Sequence, residues 1–151
     1  MEDPNLELFF QREKDIPFVN RLISTCLVEE YGDPSAPENI TNLLDYYYSK
    51  PDSVIFVLEA DNQFAGFVWL IESSDVVVGN KFYCVLYIAL EEQFRGRGFS
   101  KILLEKAIDH CRDSGEINEL RLTVRKENTG AFGLYSSFGF QTYKHEMKLK
   151  L

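Results

Sequence analysis

Arg95, Arg97 and Lys101 place three cationic side chains within seven residues, interleaved with Gly96 and Gly98 and joined by Phe99 and Ser100. Cationic side chains on a glycine-rich turn suit the binding of an anion such as a phosphate. Gly96 and Gly98 carry no Cβ and tolerate positive φ, so the backbone can approach a ligand closely there. If a helix begins at this turn, its first N–H groups lack intrahelical partners and its dipole adds positive charge at the same place. The same residues would also serve a plain strand-to-helix turn with solvated arginines. Spacing excludes two other glycine motifs: a dinucleotide fingerprint needs a third glycine where Lys101 stands, and a P-loop needs Gly-Lys followed by Ser or Thr.

The flanking runs are those that such a turn requires. Residues 83–90, Tyr-Cys-Val-Leu-Tyr-Ile-Ala-Leu, lack polar alternation and predict a strand buried on both faces. After the turn, Ile102, Leu103, Leu104, Ala107, Ile108 and Cys111 recur at helical spacing, with Lys101, Glu105, Lys106, Asp109 and Arg112 opposite. Upstream, residues 6–10 predict a first strand. Asp15 and Pro17 open a helix to about Tyr31, with Asp15 as its acidic cap. Gly32 and Pro37 bound a breaker segment, and a second helix is expected over 38–48, where Tyr46, Tyr47 and Tyr48 are adjacent. Residues 53–60 and 64–71 predict two strands joined by the three-residue connection Asp61-Asn62-Gln63. Further strands are expected over 120–124 and 140–151, with a helix over 131–138 between them, opened by the turn at Asn128 and closed by Gly139. In the last strand Tyr143, His145, Met147, Leu149 and Leu151 share one face, which makes His145 a structural histidine.

Length and composition predict one domain over residues 1–151 with a substantial core. The 24 acidic and 16 basic residues give a net charge of -8, the opposite sign to a nucleic-acid binder. An acidic surface suits cationic small molecules or basic peptides, although acidity also serves solubility alone. No apolar run approaches the ~20 residues that span a bilayer, and the start of the chain lacks the pattern of a signal peptide. Cys26, Cys84 and Cys111 are odd in number, widely spaced and set among apolar residues. They predict reduced thiols in a cytoplasmic protein without a metal site.

The order of elements, with the residues at two joints, resembles the GNAT superfamily of acetyl-CoA-dependent N-acyltransferases. That family's phosphate motif, Arg or Gln, two residues, Gly, one residue, then Gly or Ala, is met by Arg95, Gly98 and Ser100, with serine as the small last residue. Its second motif is met by Asn128, Ala131, Leu134, Tyr135, Gly139 and Phe140. The resemblance covers nearly the whole chain, the first 50 residues by pattern only. It implies a mixed, mostly antiparallel α/β sheet flanked by about four helices. It implies acetyl-CoA as co-substrate: main-chain N–H groups of Arg95, Gly96, Arg97, Gly98, Phe99 and Ser100 on the pyrophosphate, and the main chain of Ile88, Ala89 and Leu90 along the pantetheine arm where the central and fifth strands splay apart. Asn128 would bond the pantetheine as well. Tyr135 would protonate the departing thiolate. A phenol of pKa ≈ 10 keeps its proton at neutral pH and can donate as charge develops on a thiol of pKa ≈ 8.5. Main-chain donors near Leu90 would stabilise the oxyanion.

The acceptor implied is a primary amine. At a pKa of ≈ 10.4 it is about 0.04% neutral at pH 7, so a base should assist it. Residues 81–84 hold no carboxylate, which leaves Glu72 and Asp75 as the nearest acidic candidates. Charge favours a small cationic amine of polyamine or aminoglycoside type, with a protein lysine or N-terminal amine as the other option. Only eleven residues follow Phe140, so the end of the sheet is expected to be short or to be completed by a second copy in a homodimer. The alternative function is a catalytically silent acyl-CoA-binding sensor with the same fold.

Overall fold

In the computed structural model, which describes residues 3–32, 45 and 48–151, the chain runs β1 (Leu6–Phe10), α1 (Ile16–Tyr31), β2 (Val54–Ala60), β3 (Gln63–Ser74), β4 (Lys81–Leu90), α2 (Phe99–Ser114), β5 (Leu120–Arg121) and α3 (Thr129–Ser137). The strands form one sheet in the order β1-β2-β3-β4-β5, with three antiparallel pairings and a parallel β4–β5 pair. This is the mixed, mostly antiparallel α/β sheet expected. Three helices stand among the described residues. The helix expected over 38–48, with Tyr46 and Tyr47, lies outside them apart from Asp45 and Tyr48. No described helix is long and apolar enough to cross a membrane.

The sheet separates two apolar cores, and strand alternation feeds both. Phe56, Leu58, Val68 and Leu70 pack with Leu103, Ala107 and Cys111 of α2. Ile55, Val57, Phe67 and Trp69 pack with Val19, Leu22 and Ile23 of α1 on the opposite face. Two covered faces explain why β2 and β3 read as continuous apolar runs despite antiparallel pairing. β3 holds the longest buried run, residues 65–71. β4, expected to be buried on both faces, has only Val85 and Leu90 fully buried, because its outer neighbour β5 pairs with it only at Tyr83–Leu120 and Cys84–Arg121.

Several local expectations change. The β2–β3 connection has two residues, Asp61 and Asn62, both at positive φ (50° and 62°). Two such residues match the right-handed strand twist, and Asp and Asn tolerate the conformation. Asp15 precedes α1, yet its side chain does not cap that helix. It turns back instead: its carboxylate accepts from the Arg12 N–H at 2.8 Å and from the guanidinium at 2.9 and 3.1 Å. Arg12 in turn reaches Glu59 and lies over the Phe9 ring. The last strand is not formed. Residues 141–151 are exposed and carry no strand assignment, and His145, expected on a packed face, is exposed with them. Alternation within the segment makes an amphipathic ribbon but gives it no partner inside its own chain.

Candidate active site

Register decides what the end of β4 presents. Trp69 pairs with Tyr87 and Leu70 with Val85, which leaves Leu86 as an extra residue, a bulge. Leu86 and Tyr87 consequently both pack toward the α1 core. Beyond the bulge, the Glu91 N–H donates to Ala65 O at 2.8 Å, so alternation directs the main-chain groups of Ala89 toward β3 and those of Ile88 and Leu90 away from it. There β5 has already diverged, and this stretch of β4 is an unpaired edge. Gly66 holds its other side: a Cβ on Gly66 would lie 2.3 Å from Ala89 O and 2.7 Å from a Leu90 methyl. A glycine inside an apolar strand was the sequence signal for this close approach, and it went unread.

The glycine turn follows directly. Gly96 and Gly98 have φ of 72° and 81°, and no atom lies within 4 Å of where either Cβ would stand. Gly98 is the N-cap of α2 and no side chain caps that end, so the first N–H groups of α2 face outward without a capping acceptor. Phe94 and Phe99 are buried and stacked 6.0 Å apart beneath the turn, and Arg97 lies over the Phe99 ring. Arg97 and Lys101 form no ion pair with a described residue. Arg95 is engaged within the protein. Its N–H donates to Glu92 O, and its side chain donates to Leu90 O at 3.0 Å and reaches Glu29 and the Cys26 thiol on α1. The turn's main-chain N–H groups without a hydrogen-bond partner among the described residues therefore begin at Gly96, and Arg95 ties the turn to the end of β4.

Asn128 and Tyr135 belong to α3 and the turn that opens it. Asn128 Oδ1 accepts from the Ala131 N–H at 3.1 Å and caps α3, which carries Tyr135. Tyr135 is half-buried, its ring edge-on to Phe140 at 5.9 Å, and burial raises its phenol above the ordinary value. It lines a trough of about 1320 Å³ between the end of α2, the β5 segment and α3, whose lining includes no residue of β4 or of the glycine turn. Across the opening, Arg125 beyond β5 pairs with Glu30 of α1 at 3.2 Å and lies over Tyr31.

The two expected acidic candidates are not brought to this place. Glu72 pairs in register with Tyr83, five residues before Ile88 and so roughly 16 Å along β4. Asp75 gives both carboxylate oxygens to Arg121, at 2.9 and 3.0 Å. Those bonds hold its pKa below the usual carboxylate range, which suits an ion pair and opposes a role as base.

Residues 16–140 match the profile described as the Acetyltransferase (GNAT) family. The chain is 30% identical over 93 residues to a putative [ribosomal protein bS18]-alanine N-acetyltransferase of Bacillus subtilis, covering 60% of this chain and 56% of that protein. It is 26% identical to the spermidine N(1)-acetyltransferase of Escherichia coli, covering 84% and 68%. It is 25% identical to human N-acetyltransferase 8B, covering 74% and 48%, so the chain spans about half the length of some curated relatives it matches. Among solved structures, a putative acetyl transferase from Pyrococcus furiosus superposes with a TM-score of 0.82 at 20% identity, over 97% of this chain and 100% of that one, and shares its fold. Matched over most of its length, the chain belongs to the GNAT acetyltransferase family.

Proposed function

We propose that this protein transfers an acetyl group from acetyl-CoA to a primary amine. The observation that carries the reading is the unpaired edge of β4 at Ile88 and Leu90, running into an open glycine turn and the uncapped start of α2. These residues fit the co-substrate. A diphosphate would take the N–H groups from Gly96 to Ser100, with Arg97 and Lys101 beside it, and an amide-bearing arm would lie along Ile88 and Leu90 as an added strand. When bound, acetyl-CoA supplies the acetyl group in activated form, as a thioester. The chain supplies position and protons. The edge N–H groups of Ile88 and Leu90 orient the arm, and Tyr135 holds a proton for the departing sulfur. Asn128 acts by capping the helix that carries Tyr135, its Oδ1 being committed to that bond.

Net charge and the relation to a spermidine acetyltransferase support a small cationic amine as acceptor. The relation to an alanine N-acetyltransferase supports a peptide N-terminus as the second candidate. Calorimetric titration with acetyl-CoA is the primary test, run beside Gly98→Val. Stoichiometric binding is expected for the wild type. At least a tenfold loss is expected for the variant, since a β-branched residue resists the φ of 81° that holds the turn open. A folded wild-type protein that does not bind acetyl-CoA overturns the reading. Thiol release with spermidine and with an alanine-terminated peptide then separates the acceptors, and binding without any turnover identifies the sensor alternative.

A further inference from the structure

α3 is a helix without a place in either core. None of its nine residues is fully buried, and Phe132 and Tyr135 line the trough instead. Apart from one tie, the hydrogen bonds that residues 125–140 make among the described residues stay within that segment. The tie is Arg125. Its main-chain O accepts from the Asn128 N–H at 2.9 Å, which closes the turn that Asn128 continues into α3 by capping Ala131. Its guanidinium donates to Glu30 at 3.2 Å and lies 5.2 Å from the centre of the Tyr31 ring. Both partners belong to the last turn of α1, a helix fixed in the core by Val19, Leu22 and Ile23. Glu29, next to Glu30, takes a second arginine: Arg95 reaches it at 3.5 Å while donating to Leu90 O at 3.0 Å. Adjacent glutamates on α1 therefore hold the end of β4 and the turn that opens α3.

We propose that Arg125 is a positioning residue for acetyl transfer: seated on Glu30 and Tyr31, it fixes the turn before α3 and so sets where Tyr135 stands relative to the end of β4. The proposal rests on the reading of Tyr135 as proton donor to the departing sulfur. Because α3 buries no residue fully, apolar packing does not set its place independently, and a polar tie can decide it. The residue type suits the task. A planar guanidinium can pair with a carboxylate through its edge while its face rests on a phenol ring, as a lysine ammonium cannot. Both partners of the pair are partly exposed, at 47% and 33%, so it contributes little to global stability. Its effect falls on geometry, to which proton transfer is sensitive, since the donor must come within hydrogen-bond reach of the sulfur.

Turnover of the full chain is read as thiol release from acetyl-CoA with spermidine and with an alanine-terminated peptide. Arg125→Ala should lower kcat about tenfold, leave acetyl-CoA affinity within about twofold and keep the wild-type circular dichroism spectrum. In a Tyr135→Phe background the same change should cost less than about twofold, since it acts through the hydroxyl already removed. Glu30→Gln should lower kcat as Arg125→Ala does, and the two together should lower it no further. Hydrogen exchange should quicken at α3 amides in Arg125→Ala and stay at the wild-type rate in α1 and α2. An unchanged kcat overturns the proposal. So does a loss that Tyr135→Phe leaves at full size, because Arg125 would then act elsewhere. Additive losses at Arg125 and Glu30, or α3 amides that exchange as in the wild type, overturn the anchor. The underlying reading fails in its own way, with a wild type that does not turn over or a Tyr135→Phe variant as fast as it. A Tyr135→Phe loss beside an unaffected Arg125→Ala removes Arg125 alone.

Discussion

A phenol keeps its proton at neutral pH, and half-burial beside Phe140 extends that range upward for Tyr135. The direction matters. Desolvation raises its pKa, so the phenol stays protonated through the neutral range and loses its proton only as pH rises through the raised value. Tyr135→Phe should lower kcat by about 10²-fold or more while leaving acetyl-CoA affinity within twofold. The alkaline limb of the wild-type kcat profile should lie above the ordinary phenol value of about 10, and the variant should lack it. Stopped assays across pH with calorimetry at pH 7 check both, and an unchanged kcat removes the residue from the mechanism. The place of Tyr135 on a helix opened at Asn128 was legible from the spaced motif. The side-chain partners of Arg95 and Asp75 were not. A cationic residue in a glycine turn reads as a phosphate ligand, whereas Arg95 spends its guanidinium on Leu90 O, and the pairing of Asp75 with Arg121 joins residues 46 positions apart.

At the scale of elements, the end of β4 depends on what presses against it. Gly66 allows β3 to touch Ala89 and Leu90. A methyl group there meets main chain, which cannot swing aside, so Gly66→Ala should push that end of β4 outward and cost about 2 kcal/mol in urea unfolding. Acetyl-CoA affinity should fall at least tenfold with it, since the displaced groups include the edge of Ile88 and Leu90. Loss of stability with full affinity would show that the edge does not receive the co-substrate. Most elements were readable because period and punctuation are local. α1 and α2 carry apolar stripes, and Gly115 closes α2 at a φ of 69°. The bulge at Leu86 was not readable, because an extra residue exists only relative to a partner strand. The missing last strand failed for a related reason: alternation at 143–151 specifies a ribbon with two faces and says nothing about which edge receives it.

For the molecule as a whole, a substantial core was foreseeable from length and composition, while its division into two across the sheet and the early divergence of β5 were not, since both are set by pairing. Global stability carries a pH signature through Asp15, buried to 4% exposure at the foot of α1. Burial alone would raise its pKa, but the bonds from Arg12 outweigh that and leave it below the usual range. A depressed folded-state value stabilises above the unfolded value near 3.9, and that stability is lost as pH falls through the folded value. Asp15→Asn should therefore cost about 2 kcal/mol at pH 7, and the gap to wild type should shrink below pH 4, as urea unfolding at the two pH values would show. A constant gap would mean that the cost is steric. The Arg125–Glu30 pair joins α1 to the chain beyond β5. Where β4 and β5 part, the two banks of the opening lean on opposite charges, and both partners are partly exposed. Mobile ions compete for such a tie, over a Debye length of about 8 Å at physiological ionic strength, but leave apolar packing alone. Added salt should then weaken this tie while both cores stay closed.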